Sequence, residues 1–169
     1  MSRFLRPSRR QQHRNSAYWL GAFGGIFFSV GLGFLVLGMV PTVFDAMRMR
    51  QWEPVQAQVL EARLASSRSD GGNATSRAHA RYRYEVAGRA YVGERVAVSN
   101  VADNLGDYWY QLGWQLKSAQ QHGKAVTAWV NPSDPTEAVL DRNLRWPLLG
   151  FWGIFLVVFG GVGGGLLAW

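Results

Sequence analysis

Cysteine is absent from the 169 residues. That excludes a disulfide framework, a thiolate nucleophile and any metal site with sulfur ligands. A domain built from such a chain must hold together by packing alone. Histidine is nearly as scarce: His13, His79 and His122 are the only three. They are widely separated, with no HExxH or similar ligand spacing. No GxSxG elbow frames a serine, and the run GGVGGG is not followed by the lysine of a phosphate loop. The acids are dispersed. No catalytic set emerges, and the chain reads as a non-enzyme that needs no cofactor and no metal.

Charge is missing from two long runs. Neither Tyr18–Val40 (YWLGAFGGIFFSVGLGFLVLGMV) nor Trp146–Trp169 (WPLLGFWGIFLVVFGGVGGGLLAW) contains an ionisable acid or base. Each exceeds the roughly 20 residues that a helix needs to cross a hydrocarbon layer of about 30 Å. Core helices of that length normally carry a polar stripe; these have none. A cleavable signal peptide is the rival for the first run. Its apolar part is longer than the usual ~7–15 residues, and no small-x-small site follows before Asp45. Two transmembrane helices are therefore expected. Both lack the ionisable residues that mark ion or proton paths, which leaves a transport or channel subunit as an alternative reading only.

The formal net charge of +7 is concentrated at one end. Arg3, Arg6, Arg9, Arg10 and Arg14 precede the first run with no acid among them, leaving 13 basic residues against all 11 acids. Excess charge beside a membrane sets orientation and attracts anionic headgroups, and it does not indicate nucleic acid. The positive-inside rule places residues 1–17 in the cytoplasm, residues 18–40 and 146–169 in the bilayer, and residues 41–145 on the far side. Arg48, Arg50, Arg142 and Arg145 flank the spans on the insert side and reduce the contrast. Tyr18, Trp19, Trp146 and Trp169 suit the headgroup interface.

Glycines recur at four-residue steps: Gly21 with Gly25, Gly160 with Gly164, and Gly161 with Gly165. Small residues so spaced let helices approach closely. The two spans are expected to pack on each other through them, with a homo-oligomer seam as the sharper alternative.

Between the runs the period changes. TVFDAMRMRQ continues the first helix a turn or two beyond Pro41. Val55, Ala57 and Val59 then alternate with Gln56 and Gln58, as in a half-buried strand. SSRSDGGNATS reads as a loop, and its Asn73-Ala74-Thr75 matches a glycosylation sequon. In AHARYRYEV, Ala78, Ala80, Tyr82, Tyr84 and Val86 share one face, and His79, Arg81, Arg83 and Glu85 the other. Gly88-Arg89 is expected to turn this strand into RAYVGERVAV. The polar face is strongly basic. A solvated surface is its default meaning, and contact with anionic lipid or an acidic partner is the functional one.

Leu105, Tyr108 or Trp109, Leu112 and Leu116 recur at helical steps, with Asn104 or Asp103 as candidate cap and Gly123 as candidate stop. Val126, Ala128 and Val130 alternate as another strand, and Thr136–Leu140 form a last one. Between them stands NPSDP. Two prolines cannot lie within a central strand, while Asn131, Ser133 and Asp134 are residues that bond locally in turns. No histidine, second carboxylate or metal cluster stands by Asp134, so Asn131, Pro132, Asp134 and Pro135 read as a structural turn.

Three of these features occur in order: the tryptophan-led strand from Trp52, the Tyr-x-Tyr-x-Val-x-Gly-x-x-Tyr hairpin of Tyr82–Tyr91, and the Gly-x-x-Val-x-x-x-x-Asn-Pro-x-Asp-Pro-x-x-Ala-x-Leu ending of Gly123–Leu140. The chain resembles the bacterial membrane family called domain of unknown function 3592. In that family aromatic residues often precede the Asn-Pro; here the run is Ala128-Trp129-Val130. The resemblance implies a small β-rich domain beside a membrane and brings no established activity or site residues. The expected fold is an α+β membrane protein, with two transmembrane helices flanking a small antiparallel β domain and one packed amphipathic helix. The expected role is a membrane-anchored interaction module in a bacterial inner membrane, its domain periplasmic, its partners the lipid bilayer and a membrane protein. Reporter fusions test the orientation: a periplasm-dependent reporter is expected to be active at Gly71 and silent at the N-terminus, and equal activity at both overturns it.

Overall fold

The computed structural model describes residues 9–68 and 74–168. The first eight residues, residues 69–73 with Gly71 and the sequon's Asn73, and Trp169 lie outside the described residues. Two compact units emerge. One comprises the residues up to Pro41 and from Leu148 onward, the other Thr42–Pro147.

In the chain, α1 (Arg9–Gly33) leads through a π-helical stretch, Phe34–Met39, into α2 (Val40–Met49), whose residues from Thr42 on belong to the second unit. Pro41 gives that wide turn a cause: proline has no N–H to donate, and its ring crowds the carbonyl one turn back. The second helical segment is α4 (Trp146–Phe155), a π-helical stretch Leu156–Gly160, and α5 (Gly161–Leu167). Tyr18–Met49 and Trp146–Leu167 are long and apolar enough to cross a membrane.

The helices of the first unit pack antiparallel through glycine and phenylalanine. Phe27 stacks on Phe159 with ring centres 5.2 Å apart, and Phe34 meets Phe155 at 4.7 Å. A Cβ added at Gly31 would lie 2.8 Å from the Gly160 Cα, and one at Gly163 would lie 2.7 Å from the Gly24 carbonyl oxygen. The seam thus runs through Gly24, Gly31 and Gly163, with the Gly160 backbone beneath Gly31. This corrects the spacing argument. Gly21, Gly25, Gly161 and Gly165 have nothing within 4 Å of an added Cβ, and Gly164 meets only the Phe28 ring at 3.9 Å. Of the glycines named for their spacing, Gly160 lies on this seam, and Gly21, Gly25, Gly161 and Gly165 do not.

The second unit is an antiparallel sheet of five strands in the order β3-β2-β1-β4-β5. Its strands are β1 (Glu53–Arg68), β2 (Ala74–Val86), β3 (Arg89–Gly93), β4 (Ala125–Asn131) and β5 (Asp134–Val139), with α3 (Tyr108–Gln121) crossing between β3 and β4. The first hairpin is longer than the polar stretch SSRSDGGNATS suggested. Ser66 pairs with Ser76, Ser67 with Thr75 and Arg68 with Ala74. The turn after β2 also differs from expectation: Ala87 (φ 51°) and Gly88 (φ 78°) form it, and Arg89 already pairs with Val86. Two successive positive φ values are the signature of a tight hairpin turn whose twist matches the strands.

One sheet face is lined by small residues, Ala57, Ala78, Ala80 and Ala128, which make room for Tyr82, Tyr84 and the α3 side chains Trp109, Leu116 and Ala119. Gly113 sits where α3 passes Leu64, an added Cβ lying 3.2 Å from its Cδ1. Register shifts between Val59 and Glu61, leaving Leu60 as a bulge. Bulges orphan backbone groups, and here the Gln120 amide takes them up. Its Nε2 donates to the Leu60 carbonyl (2.9 Å), and its Oε1 accepts from the Ala62 N–H (3.2 Å). Gly123 (φ 63°) ends α3 as expected, with Lys124 N–H donating to the Ala119 carbonyl and Gly123 N–H to that of Gln120.

On the opposite face a smaller cluster of Ala46, Met49, Trp52, Val98 and Val139 covers the β4–β5 end. The rest of that face, over β1 and β2, is open. Leucine at Gly163 is expected to cost the helix pair about 1–3 kcal/mol by overpacking, whereas leucine at Gly165 is expected to be close to neutral. Thermal unfolding in detergent, followed by helix content, checks the contrast.

Candidate functional site

Strand alternation puts Arg77, His79, Arg81, Arg83 and Glu85 on the open face, because Ser76, Ala78, Ala80, Tyr82 and Tyr84 are buried on the other. Pairing then brings β1 side chains beside them: Arg63 lies opposite His79, Glu61 opposite Arg81 and Gln58 opposite Arg83. The chain leaving β3 folds along the same face, joined to the end of β5 by Leu140 N–H to the Arg95 carbonyl (3.3 Å) and Asp141 N–H to the Val96 carbonyl (2.8 Å). Together they enclose a groove of about 640 Å³ lined by Glu61, Arg63, Arg77, His79, Ala80, Arg81, Glu94, Arg95, Val98 and Asn100. Of the four face residues singled out from the sequence, His79 and Arg81 line the groove. Arg83 and Glu85 share the face but lie outside it.

The face is less basic than its strand alone suggested. Arg81 pairs with Glu94 (3.4 Å). Arg95 is spent inside the unit, donating to Asp45 (2.6 Å) and to the carbonyls of Val98 (2.7 Å) and Ala97 (3.3 Å). The remaining cations, Arg63 and Arg77, flank His79. Burial and then the charges of Arg77 and Arg63 hold the His79 imidazole below its ordinary value, so it is neutral at neutral pH. Two groove atoms are buried without any hydrogen-bond partner among the described residues: the Arg77 Nε donor and the Asn100 Oδ1 acceptor. Groups of this kind usually find a partner.

A second polar constellation is closed. Asp103 and Arg145 are both buried. Arg145 Nη1 donates to Asp103 Oδ2, and Nη2 donates to Oδ1 at 3.0 Å. Asp103 also accepts from Trp109 Nε1 (3.1 Å) and the Leu105 N–H (2.9 Å). The Arg145 guanidinium lies over the Tyr108 ring, 4.2 Å from its centre, and Tyr108 donates its hydroxyl to Asp141 (2.8 Å). Burial pushes the Asp103 carboxyl up, but hydrogen bonds from Arg145, Leu105 and Trp109, with the Arg145 charge, outweigh it and hold the group below its ordinary value. Asp103 is thus an ion-pair partner and not a helix cap; α3 begins at Tyr108, and Asp107 precedes it without a capping side-chain bond. Arg145, whose place before the second apolar run suggested a juxtamembrane charge, is the pair's other half. Nothing in the hydrophobic period distinguishes either residue.

NPSDP behaves as a turn. Asn131 Oδ1 accepts from Ser133 N–H (3.0 Å), and Asn131 Nδ2 donates to Glu137 (2.8 Å). Asp134 Oδ1 accepts from the Thr136 hydroxyl (2.7 Å) and N–H (3.0 Å), bonds that lower its pKa. Pro135 sits on the edge strand β5, where its missing N–H disturbs no ladder, and its carbonyl accepts from the Tyr84 hydroxyl (2.8 Å). Among the described residues no three His, Asp or Glu side chains gather as a metal site.

A five-stranded antiparallel sheet with a helix on one face and a polar groove on the other makes this unit an α+β fold. The chain belongs to the family described as Domain of unknown function (DUF3592), which matches residues 55–145, more than half of its length. The match begins after Trp52, ends at Arg145, and contains both partners of the buried ion pair. No curated protein matches this chain.

Replacing Arg145 by methionine strands a buried carboxylate, and a loss of about 3–5 kcal/mol is expected. Asp103 titrates lower folded than unfolded, so its contribution is complete above the ordinary value of 3.8 and fades as pH falls through the depressed folded value. Thermal unfolding against pH should show this acid loss in the parent chain and a weaker one in Asp103→Asn.

Proposed function

We propose that this chain is a two-pass membrane protein whose Thr42–Pro147 unit is a binding module held at the bilayer surface. The observation that carries the reading is where the apolar side chains point. In the two long apolar helices only 11% and 22% of the most apolar stretch is buried. Trp19, Leu37 and Val157 are 77%, 81% and 71% exposed. Water does not tolerate so continuous an apolar surface on a soluble protein, whereas lipid matches it.

The bilayer is a bacterial inner membrane, both termini face the cytoplasm, and the module is periplasmic. The five arginines ahead of Tyr18 support that orientation. So does the use of arginines on the module side. Arg145 pairs with Asp103, Arg48 lies 3.4 Å from Glu137, and Arg142 donates to the carbonyls of Met49, Arg50 and Trp52 at 3.3, 3.0 and 3.1 Å. Partnered inside the fold, these cations compete less with the N-terminal cluster for the cytoplasmic face.

The module's open sheet face meets a membrane-protein partner, and Arg81 and Arg83 are exposed cations on it. The chain should stay in the membrane pellet through alkaline extraction. Arg81→Glu with Arg83→Glu should leave unfolding unchanged within about 0.5 kcal/mol and weaken recovery of a crosslinked partner from native membranes. Undiminished recovery removes the open face as the contact surface, and release by alkali removes the anchoring.

A further inference from the structure

We propose that the groove over β1 and β2 is an oxyanion site that takes a single phosphate group on a small, hydroxyl-bearing molecule or headgroup. This deepens the binding-module reading and rests on it. Three donors converge there from two strands: Arg63 on β1, opposite His79, and Arg77 two residues before His79 on β2. All three side chains line the groove, and neither arginine has an ion-pair partner among the described residues. Arg77 Nε is already stripped of water with no acceptor supplied by the protein. The groove-lining arginines offer guanidinium forks that match phosphate oxygens with two parallel bonds.

The shape of the charge selects the ligand. Two guanidinium groups and an imidazole lining one groove present more donors than the two oxygens of a carboxylate use, and a phosphate has oxygens for them all. A groove of about 640 Å³ is much larger than a lone phosphate, so an organic group accompanies it. Asn100 lines the groove, and its side-chain amide is of the type that bonds a hydroxyl. The Glu61 and Glu94 carboxylates stand at the same groove, with Arg81 tied to Glu94 and Arg95 to Asp45. They repel a polyphosphate or a nucleic acid strand and tolerate one phosphate.

His79 reports occupancy. It faces Arg63 and Glu61 from β1, Arg77 and Arg81 from its own strand, and Glu94, Arg95 and Asn100 from the chain that follows β3. Its neighbouring cations depress its titration when the groove is empty, and a bound phosphate reverses the sign of its surroundings.

The test uses the full chain in phosphatidylcholine nanodiscs with ring-labelled histidine, titrated by NMR with inorganic phosphate, with glycerol 3-phosphate, and in discs containing phosphatidylglycerol. The His79 midpoint should rise with at least one of these while His122 stays fixed. Affinity should fall about ten- to hundredfold in Arg77→Gln and hold in Arg83→Gln, which lies on the same face outside the groove. A rise confined to phosphatidylglycerol discs identifies a lipid headgroup as the source, and a rise with glycerol 3-phosphate identifies a soluble one. If Arg77→Gln fails to fold, Arg63→Gln carries the same expectation. A His79 midpoint unmoved by all three overturns the phosphate site. Should partner recovery still depend on Arg81 and Arg83, the binding module then stands with a different ligand.

Discussion

The Thr42–Pro147 unit depends on one buried ion pair. Asp103 and Arg145 have both left water, and neither would be tolerated there alone. Each finds its charge matched and its hydrogen bonds filled: the carboxylate by two guanidinium nitrogens, an indole and a backbone amide. The indole belongs to Trp109, the largest side chain in the main core. Tyr108 stacks on the same guanidinium and anchors to Asp141. The start of α3, the loop before it and the chain after β5 are therefore fixed by one set of contacts. Because α3 covers the alanine-lined face, the pair also determines which side of the sheet remains open.

That open side has a composition of its own. The small cluster around Met49 and Trp52 covers it only at the β4–β5 end, which leaves a recess over β1 and β2 lined by four arginines, a histidine and two glutamates. Folded proteins usually settle such groups among themselves. Here Arg81 and Arg95 are settled and Arg63 and Arg77 are not. The asymmetry leaves two guanidinium groups at the groove without an ion-pair partner among the described residues.

Much of the architecture was legible from the sequence, and the misses have physical causes. The Tyr82–Tyr84–Val86 alternation predicted a strand with one buried face because strand periodicity acts residue by residue. NPSDP read as a turn because proline and Asx chemistry are local. The Leu60 bulge was invisible: it is a relation between two strands, repaired by Gln120 from a third element. The buried ion pair was missed for the same reason, its partners lying 42 residues apart with no pattern to connect them. Gly163 and Gly31 were passed over for glycines at regular steps, since a helix sequence gives the spacing of small residues and not the direction its partner comes from. His79 and Arg81 were found on their strand. Arg63 and Asn100, which complete the groove, required the register.

Arg142 holds a further implication. Its guanidinium lies 3.3 Å from the centre of the Trp129 ring and donates to three carbonyls at the end of α2. The polypeptide coming into the Thr42–Pro147 unit and the polypeptide going out are thereby clasped at one point. A domain clasped in this way is a cassette: it can be spliced into a host between neighbouring helices, or lifted out of one, without stretching what surrounds it.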